Sequence, residues 1–444
     1  MSTVSVSGPA QLLAVIPYHL GFQPLRSVVV VALRGTQVDL VARVDIPAPG
    51  AREAVVSHLM GPVQRESPTT IALIGYESDV GESMGLLDAF AVAVSRAGLH
   101  RLGTFVVRGD RWFGVGCDCC PAEGRPMLRD ADVPAIATYV GTGHAVLSGR
   151  EALGTALTPL APGDPGHDAV ALAVDDWRGR WERAARLHLW EEREAVWLGD
   201  GDVDDEPAFF DEPALCDELT PFDGLGPDDE MPPWPDGPVG TSSDGGARSA
   251  RDELLDESLC AWGALLRGEL GGSELAARLP AIVGPLRDAA VRDALVVTTC
   301  PGGPMTPDCV DERLLERVEH HLPPAVGRDE GGRTGESTEL AELAGLAELG
   351  LLGGPGGPGG PRAAWSPVPP HAMLASLEAA VRATPEAHAA PLLSVYASVA
   401  WWSGDGARAT VAVEHALRVE PDHPLCTLLA RALDLGMRPR ARSA

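Results

Sequence analysis

Apolar positions recur at two periods along the chain, and the switches between them outline its elements. Over residues 9–21, Leu12, Val15, Ile16 and Leu20 share a helical face. Pro9 sits in the first turn and Gly21 stands where a left-handed C-terminal residue belongs. Pro17 predicts that this helix is short or kinked. Two β-branched runs come next, residues 28–33 and 38–46, separated by Gly35-Thr36; a two-residue connection with Gly at its first central position predicts a hairpin. The pattern then alternates: a helix near 51–64, a strand over 70–75, a helix near 84–97 and a strand over 104–108. After the turn Gly109-Asp110 comes a strand over 112–116. Strands alternating with helices over short connections predict crossover units and an α/β fold, here a mixed, mostly parallel sheet with flanking helices.

The remainder reads as helical. A stretch over 171–198 carries Trp177, Trp181, Trp190 and Trp197, and the four-residue spacing puts Trp177 and Trp181 on one face. A binding platform is conceivable there, but burial is the commoner use of such aromatics. Further helices are predicted near 250–267, 273–294, 310–321 and 371–382, then a close set over 387–435. Within that set Ala397, Ala409, Ala416, the turn Gly404-Asp405 and the stop Pro421 fall at the offsets of one tetratricopeptide-type helix pair. An array needs about three stacked units. The expectation is therefore an all-α C-terminal region with a single TPR-like helical hairpin and a docking helix over 425–435.

Two stretches break the pattern. Residues 200–236 hold fourteen acidic residues and no Arg, and run into Gly- and Ser-rich sequence up to Gly246; such a tract repels itself and is expected to be a disordered insert. Residues 353–361 repeat Gly-Gly-Pro inside a linker over 327–370, with a short apolar stretch at 340–352. The domain reading is an α/β domain with a trailing helix over 1–198, an acidic insert over 199–249, a helical region over 250–326, the linker, and a C-terminal helical region over 371–444. The last region carries too much apolar surface to stand alone and is expected to dock on the rest.

Composition narrows the chemistry. Asp plus Glu number 63 against 35 basic residues, a formal charge of −28, which argues against nucleic acid or an anionic membrane as partner. All the basic residues are Arg, and neither Lys nor Asn occurs. Absent lysine excludes a Walker lysine, a pyridoxal Schiff base and the kinase lysine. Neither a charged segment ahead of an apolar one nor a run long enough to span a bilayer is visible, so a cytoplasmic location is expected. Gly114-Val115-Gly116, Gly141-Thr142-Gly143 and residues 331–337 each lack a complete phosphate cradle, and no cofactor is indicated.

Two groups could carry chemistry. Cys117, Cys119 and Cys120 form the densest cluster, and Cys300 and Cys309 offer a distant second pair. Zinc sites usually combine two spaced cysteine knuckles. One dense cluster favours a turn with buried thiols over a metal or redox site. Asp45, Glu77 and Asp79 fall at the carboxyl ends of predicted strands, where α/β sheets place ligands. Carboxylates there serve as acid and base, or as caps and loop solvators.

The stretch Leu12-Leu13-Ala14-Val15-Ile16-Pro17-Tyr18-His19-Leu20-Gly21-Phe22-Gln23-Pro24, with Ser27 and the valine strand, resembles the actinobacterial family called domain of unknown function 4192. Cys119-Cys120-Pro121, Glu123-Gly124-Arg125-Pro126, Arg292-Asp293 and the tail from Trp401 to Pro439 with its Gly404-Asp405-Gly406 turn support the resemblance. It implies an actinobacterial origin and a shared fold, and carries over no catalytic residue. A single residue between Cys117 and Cys119 is shorter than the family's usual spacing, which weakens a metal reading that depends on Cys117. The expected function is a non-enzymatic binding or scaffold module with other proteins as partners; the alternative is a hydrolase-type enzyme using Asp45, Glu77 or Asp79. If residues 200–246 are an insert, replacing 201–246 by a short Gly/Ser linker leaves the melting temperature within a few degrees by calorimetry; a collapse in stability contradicts the linker reading.

Overall fold

The computed structural model describes residues 6–117, 120–141, 145–199, 249–303, 305–325 and 366–437. The acidic tract, most of the 327–370 stretch, Cys119 and the side chains of Trp190 and Trp197 lie outside the described set. Residues 182–253 form a unit of their own, which holds the end of one helix and the start of the next. The larger unit, residues 1–181 with 254–444, contains the sheet and the C-terminal helices.

Helix α1, Pro9–Leu20, ends on Gly21 at φ 75°, the left-handed cap its sequence predicts, with Pro17 inside. Strands β1, Ser27–Arg34, and β2, Gln37–Asp45, pair antiparallel around Gly35-Thr36, with Gly35 at φ 64°. Helix α2 is Arg52–Arg65, β3 Thr70–Tyr76, α3 Met84–Arg96, β4 His100–Arg108 and β5 Arg111–Gly114. A two-residue β6, Arg125–Pro126, completes a six-stranded sheet of order β2-β1-β3-β4-β5-β6.

The sheet is mixed, but not mostly parallel. Among the described strands only β3 and β4 pair parallel; the β1–β2, β1–β3, β4–β5 and β5–β6 pairs are antiparallel. Both crossovers exist, since β2, β3 and β4 run the same way. β1 lies between β2 and β3 and runs against both, so the first crossover spans a strand instead of joining neighbours. Alternation in sequence reports strand direction through each helix and is silent about which strand fills the gap.

β1 is buried on both faces. Val28, Val30 and Ala32 pack with Ile71, Leu73 and Val106 under α2 and α3. Val29, Val31 and Leu33 face α1 and a second, larger core. That core takes in Trp177 and Trp181, which stack at 5.8 Å and are 2% and 4% exposed, as core aromatics are.

Short helices α4, Pro134–Gly141, and α5, Arg150–Ala156, lead into α6, His167–Gly199. Helices α7, Ala250–Leu266, α8, Gly272–Val283, α9, Ala289–Thr299, and α10, Glu312–His321, come after it. The single helix expected over 273–294 is broken at Gly284-Pro285, where a 3-10 turn intervenes. The C-terminal region is wholly helical: α11 Pro370–Ala383, α12 Glu386–Ser403, α13 Gly406–Val419 and α14 Pro424–Asp434. It contributes Leu377, Leu392, Tyr396, Trp402 and Val413 to the same core as α1 and the sheet.

A Cβ on Gly284 would lie 2.3 Å from Trp177 Cε3. Gly284→Ala is therefore expected to cost about 1–3 kcal/mol through overpacking, read as a lower midpoint in chemical denaturation followed by tryptophan fluorescence; an unchanged midpoint contradicts the close packing.

Candidate functional site

Strand order makes β2 an edge strand, and its outer edge opens on a cleft. The N–H of Ile46 donates to the carbonyl of Arg26 at 3.1 Å, in line with the register Ser27↔Asp45 to Ala32↔Leu40. Antiparallel bonds alternate, so Leu40, Ala42 and Val44 turn their main-chain groups to β1, and Val41, Arg43 and Asp45 turn theirs outward. Among the described residues no strand pairs with that edge.

The cleft has a volume of about 590 Å³ and its floor is Leu40 to Asp45. One wall is the end of α1, with His19, Leu20 and Phe22; the other is α2, with His58, Leu59 and Pro62. The roof comes from the far end of the chain: Trp401 of α12, the turn Gly404-Asp405-Gly406, one face of α13 with Thr410, Val413 and Glu414, and the end of α14 to Met437. These walls follow from the layers, since α1 and α2 cover opposite faces of the sheet and residues of both line the cleft.

The roof is fastened on both sides. Arg150 pairs with Glu414 at 2.8 Å, and His415 Nδ1 meets the carbonyl of Leu157 at 3.2 Å. The Leu160 N–H donates to Thr384 and the Glu386 N–H to Leu160, each at 2.9 Å. Across the cleft Arg65 donates to the carbonyl of Leu435. Asp405 caps α13 by accepting from the Arg408 N–H at 2.9 Å and pairs with its guanidinium at 3.1 Å.

On the floor Arg43 stacks on Phe22 at 5.5 Å and bonds Asp45 at 2.5 Å and the Leu25 carbonyl at 3.3 Å. His19 Nδ1 lies 3.1 Å from the Tyr139 hydroxyl. Burial pushes the Tyr139 phenol up to about 12. Tyr18 is pushed up to about 12 by its 2.5 Å bond to Asp130, with burial adding, so both phenols stay neutral near pH 7. Burial lowers His415, so that imidazole is neutral there too.

Of the three predicted carboxylates, Asp45 lines the cleft and Glu77 and Asp79 do not. Glu77 follows β3 directly, and its side chain has 0% exposure. Its carboxylate accepts from the Gly81 and Ser83 N–H groups at 3.0 and 3.1 Å, from Ser83 Oγ at 2.6 Å and from Arg108 Nη2 at 2.7 Å. Gly75 makes room, since a Cβ there would meet Ser83 Oγ at 2.2 Å. Burial by itself raises the Glu77 pKa, but the bonds from Arg108, Ser83 and Gly81 outweigh it and hold the group below the usual carboxylate range. Glu77 thus ties the loop before α3 to β4. Asp79 is exposed on that loop. In the register Asp45 is opposite Ser27, and Ser27 is opposite Tyr76, which sets Asp45 two strands, or roughly 10 Å, from the end of β3.

Cys117 and Cys120 close a turn in which the Cys120 N–H reaches the Cys117 carbonyl at 3.4 Å, packed where a Cβ on Gly114 would lie 2.8 Å from Cys120 Sγ. Cys300 is buried and Cys309 exposed; burial pushes the Cys300 thiol up to about 12, which keeps it protonated. Among the described residues no three His, Cys, Asp or Glu side chains are grouped as metal ligands, and no helix is long and apolar enough to cross a membrane.

The fold and the cleft define a mixed α/β protein whose open sheet edge is roofed by C-terminal helices. Residues 9–207 and 366–440 match the family described as Domain of unknown function (DUF4192), more than half of the chain, and the chain belongs to that family. No curated protein and no solved structure matches it. The two matched segments supply the whole lining of the cleft, floor and walls from the first and roof mostly from the second. His19, Arg43, Arg150 and Asp405 escaped the sequence reading as site residues, although His19 and Asp405 stand inside the two stretches that carried the resemblance.

Glu77→Gln removes the charged acceptor and is expected to cost about 1.5–3 kcal/mol at neutral pH. A depressed folded pKa gives stability that is full above the unfolded value, roughly 4.3, and is lost as pH falls through the folded value. The gap between wild type and variant in urea unfolding should therefore be full at pH 7 and narrow as pH falls below the unfolded value; a gap constant with pH contradicts this role.

Proposed function

We propose that this chain is a non-enzymatic binding module whose ligand is another protein, received in the cleft between β2 and the C-terminal helices. The observation that carries the reading is an unpaired sheet edge held open beneath a fastened roof, lined by apolar side chains with charged groups among them. Pockets of a few hundred Å³ with that mixture are the usual shape of binding sites. The distribution of carboxylates points the same way. The hydrolase alternative asks Asp45 to act with Glu77 or Asp79; Glu77 is saturated by four donors inside the fold and Asp79 sits on a different loop.

The α12–α13 hairpin adds support. Ala397, Ala409 and Ala416 are all 0% exposed, so the two helices approach closely as TPR-type pairs do, and the outer face of α13 is left to the cleft. In this reading the hairpin is a single TPR-like unit whose groove is completed by a strand instead of a neighbouring repeat.

Thr410→Trp fills the cleft from the roof without touching the core. Affinity capture from cells of the native host, quantified by mass spectrometry for wild type and T410W side by side, is expected to show proteins recovered at least about tenfold less with the variant, the loss of about 1.4 kcal/mol of binding free energy. Leu172→Ala, an exposed position on α6, serves as the control that leaves recovery unchanged. Equal recovery of every captured protein by T410W and wild type removes the cleft as the binding site.

A further inference from the structure

We propose that the ligand of this cleft is an extended polypeptide segment that adds to the free edge of β2 as a seventh strand and carries basic side chains; the inference rests on the cleft being the binding site.

Main-chain geometry comes first. The outward N–H and C=O groups of Val41, Arg43 and Asp45 form a regular ladder edge, because the register shift in the β1–β2 pair falls at the hairpin end, beside Leu40, and the pairing from Leu40 to Asp45 is unbroken. An edge of this kind is a template for pairing, and proteins normally blunt it with short strands, proline, bulges, charged side chains or a covering helix. The opposite edge of this sheet is blunted in that way: β6 is two residues long and ends in Pro126. The β2 edge is left regular for six residues, Leu40 to Asp45, or roughly 20 Å at about 3.3 Å per residue, which fits a ligand segment of about six residues.

The roof selects the occupant. Helices α13 and α14 line the same cleft as the β2 edge, and a space of about 590 Å³ suits a single segment better than a second sheet. A second copy of this chain is further disfavoured by charge, since each copy carries −28. Of the carboxylates lining the cleft, Asp45 pairs with Arg43, Glu414 with Arg150 and Asp405 with Arg408, which leaves Asp434 to add a local negative charge to that of the whole chain. The long-range field of the chain, at −28, therefore favours a cationic ligand. Strand addition supplies affinity through the main chain and leaves selection to alternate side chains.

The test uses the full-length chain with two synthetic probes, acetyl-Arg-Val-Arg-Val-Arg-Val-amide and the same peptide with Glu for Arg, read by residue-resolved amide hydrogen exchange and by amide chemical shifts. The arginine peptide is expected to bind, more weakly as salt rises. It should slow exchange at Val41, Arg43 and Asp45 by about tenfold or more, the worth of one net hydrogen bond, and leave Ala42 and Val44 unchanged because they already bond β1. N-methylation of the alternate peptide residues that would face β2 should abolish binding without any change to the protein.

Shifts in the cleft with unaltered exchange at Val41, Arg43 and Asp45, or undiminished binding of the N-methylated peptide, overturn strand addition while the cleft remains a binding site. Equal or tighter binding of the glutamate peptide overturns the charge assignment. Protection of the three amides that rises with protein concentration in the absence of peptide gives the edge to a second copy and also overturns the proposal. If neither peptide shifts a cleft residue the proposal falls, and comparison of T410W with wild type then decides separately whether the cleft binds protein at all.

Discussion

Strand β1 is hydrogen-bonded on both edges and buried on both faces, and most of the molecule depends on where it sits. Once it inserts antiparallel between β2 and β3, the β2–α2–β3 crossover must span it, and β2 is displaced to the rim of the sheet. Seven of its eight residues are buried, and its valines supply both cores at once. Shifting its register by one residue would exchange the two sets of apolar neighbours, which pins the strand in place. An edge at β2 is therefore a consequence of the core, and the cleft is a consequence of the edge.

The cover over that edge arrives from the far end of the chain. Bringing residues near 400–437 to strand 40–45 costs loop-closure entropy, but that cost grows only logarithmically with length. Burial of Trp402, Tyr396, Leu392 and Leu393 on the core shared with α1 opposes it. Trp402 donates to the Pro301 carbonyl at 3.0 Å and Trp401 to Met437 at 2.9 Å, so the aromatic pair anchors the hairpin through its polar atoms as well as its rings. The hairpin approaches the end of α1 closely enough for the Asp405 carboxylate to lie 3.8 Å from where a Cβ of Gly21 would be.

Sequence patterning reached the local elements and stopped at the non-local ones. α1 with its glycine cap, the β1–β2 hairpin, α2, β3, α3 and the helical C-terminal region were legible because period, cap and turn residues are local signals. Strand order was not, since no local residue records that β1 pairs with β3. Helices α4 and α5 and strand β6 have eight, seven and two residues, too few for a period to emerge. The break at Gly284-Pro285 was written in the sequence, yet the apolar spacing on either side masks it. At the site, Asp45 was legible as a strand-end carboxylate. The different fate of Glu77 depends on Arg108, 31 residues away, and on the absence of a side chain at Gly75, neither of which a strand-end rule contains. The cleft joins residues more than 350 positions apart and has no local signature.

An all-arginine basic complement bears on how rigid the site is. Arg43 lies on Phe22, Arg108 on Phe113 and Arg125 on Trp112, with centroid distances of 5.5, 5.0 and 5.7 Å. A planar guanidinium can stack on a ring and still hold a carboxylate or carbonyl at its edge, as Arg43 does with Asp45 and Leu25 and Arg108 with Glu77. The floor and the sheet end behind it are thus fixed in geometry before any ligand arrives, and Arg150 and Arg65 do the same for the roof. A preformed cleft leaves the ordering entropy of association with the ligand, which must surrender the freedom of an extended chain. Affinity should then depend less on this protein's own rearrangement than on how strongly the incoming segment already favours an extended conformation.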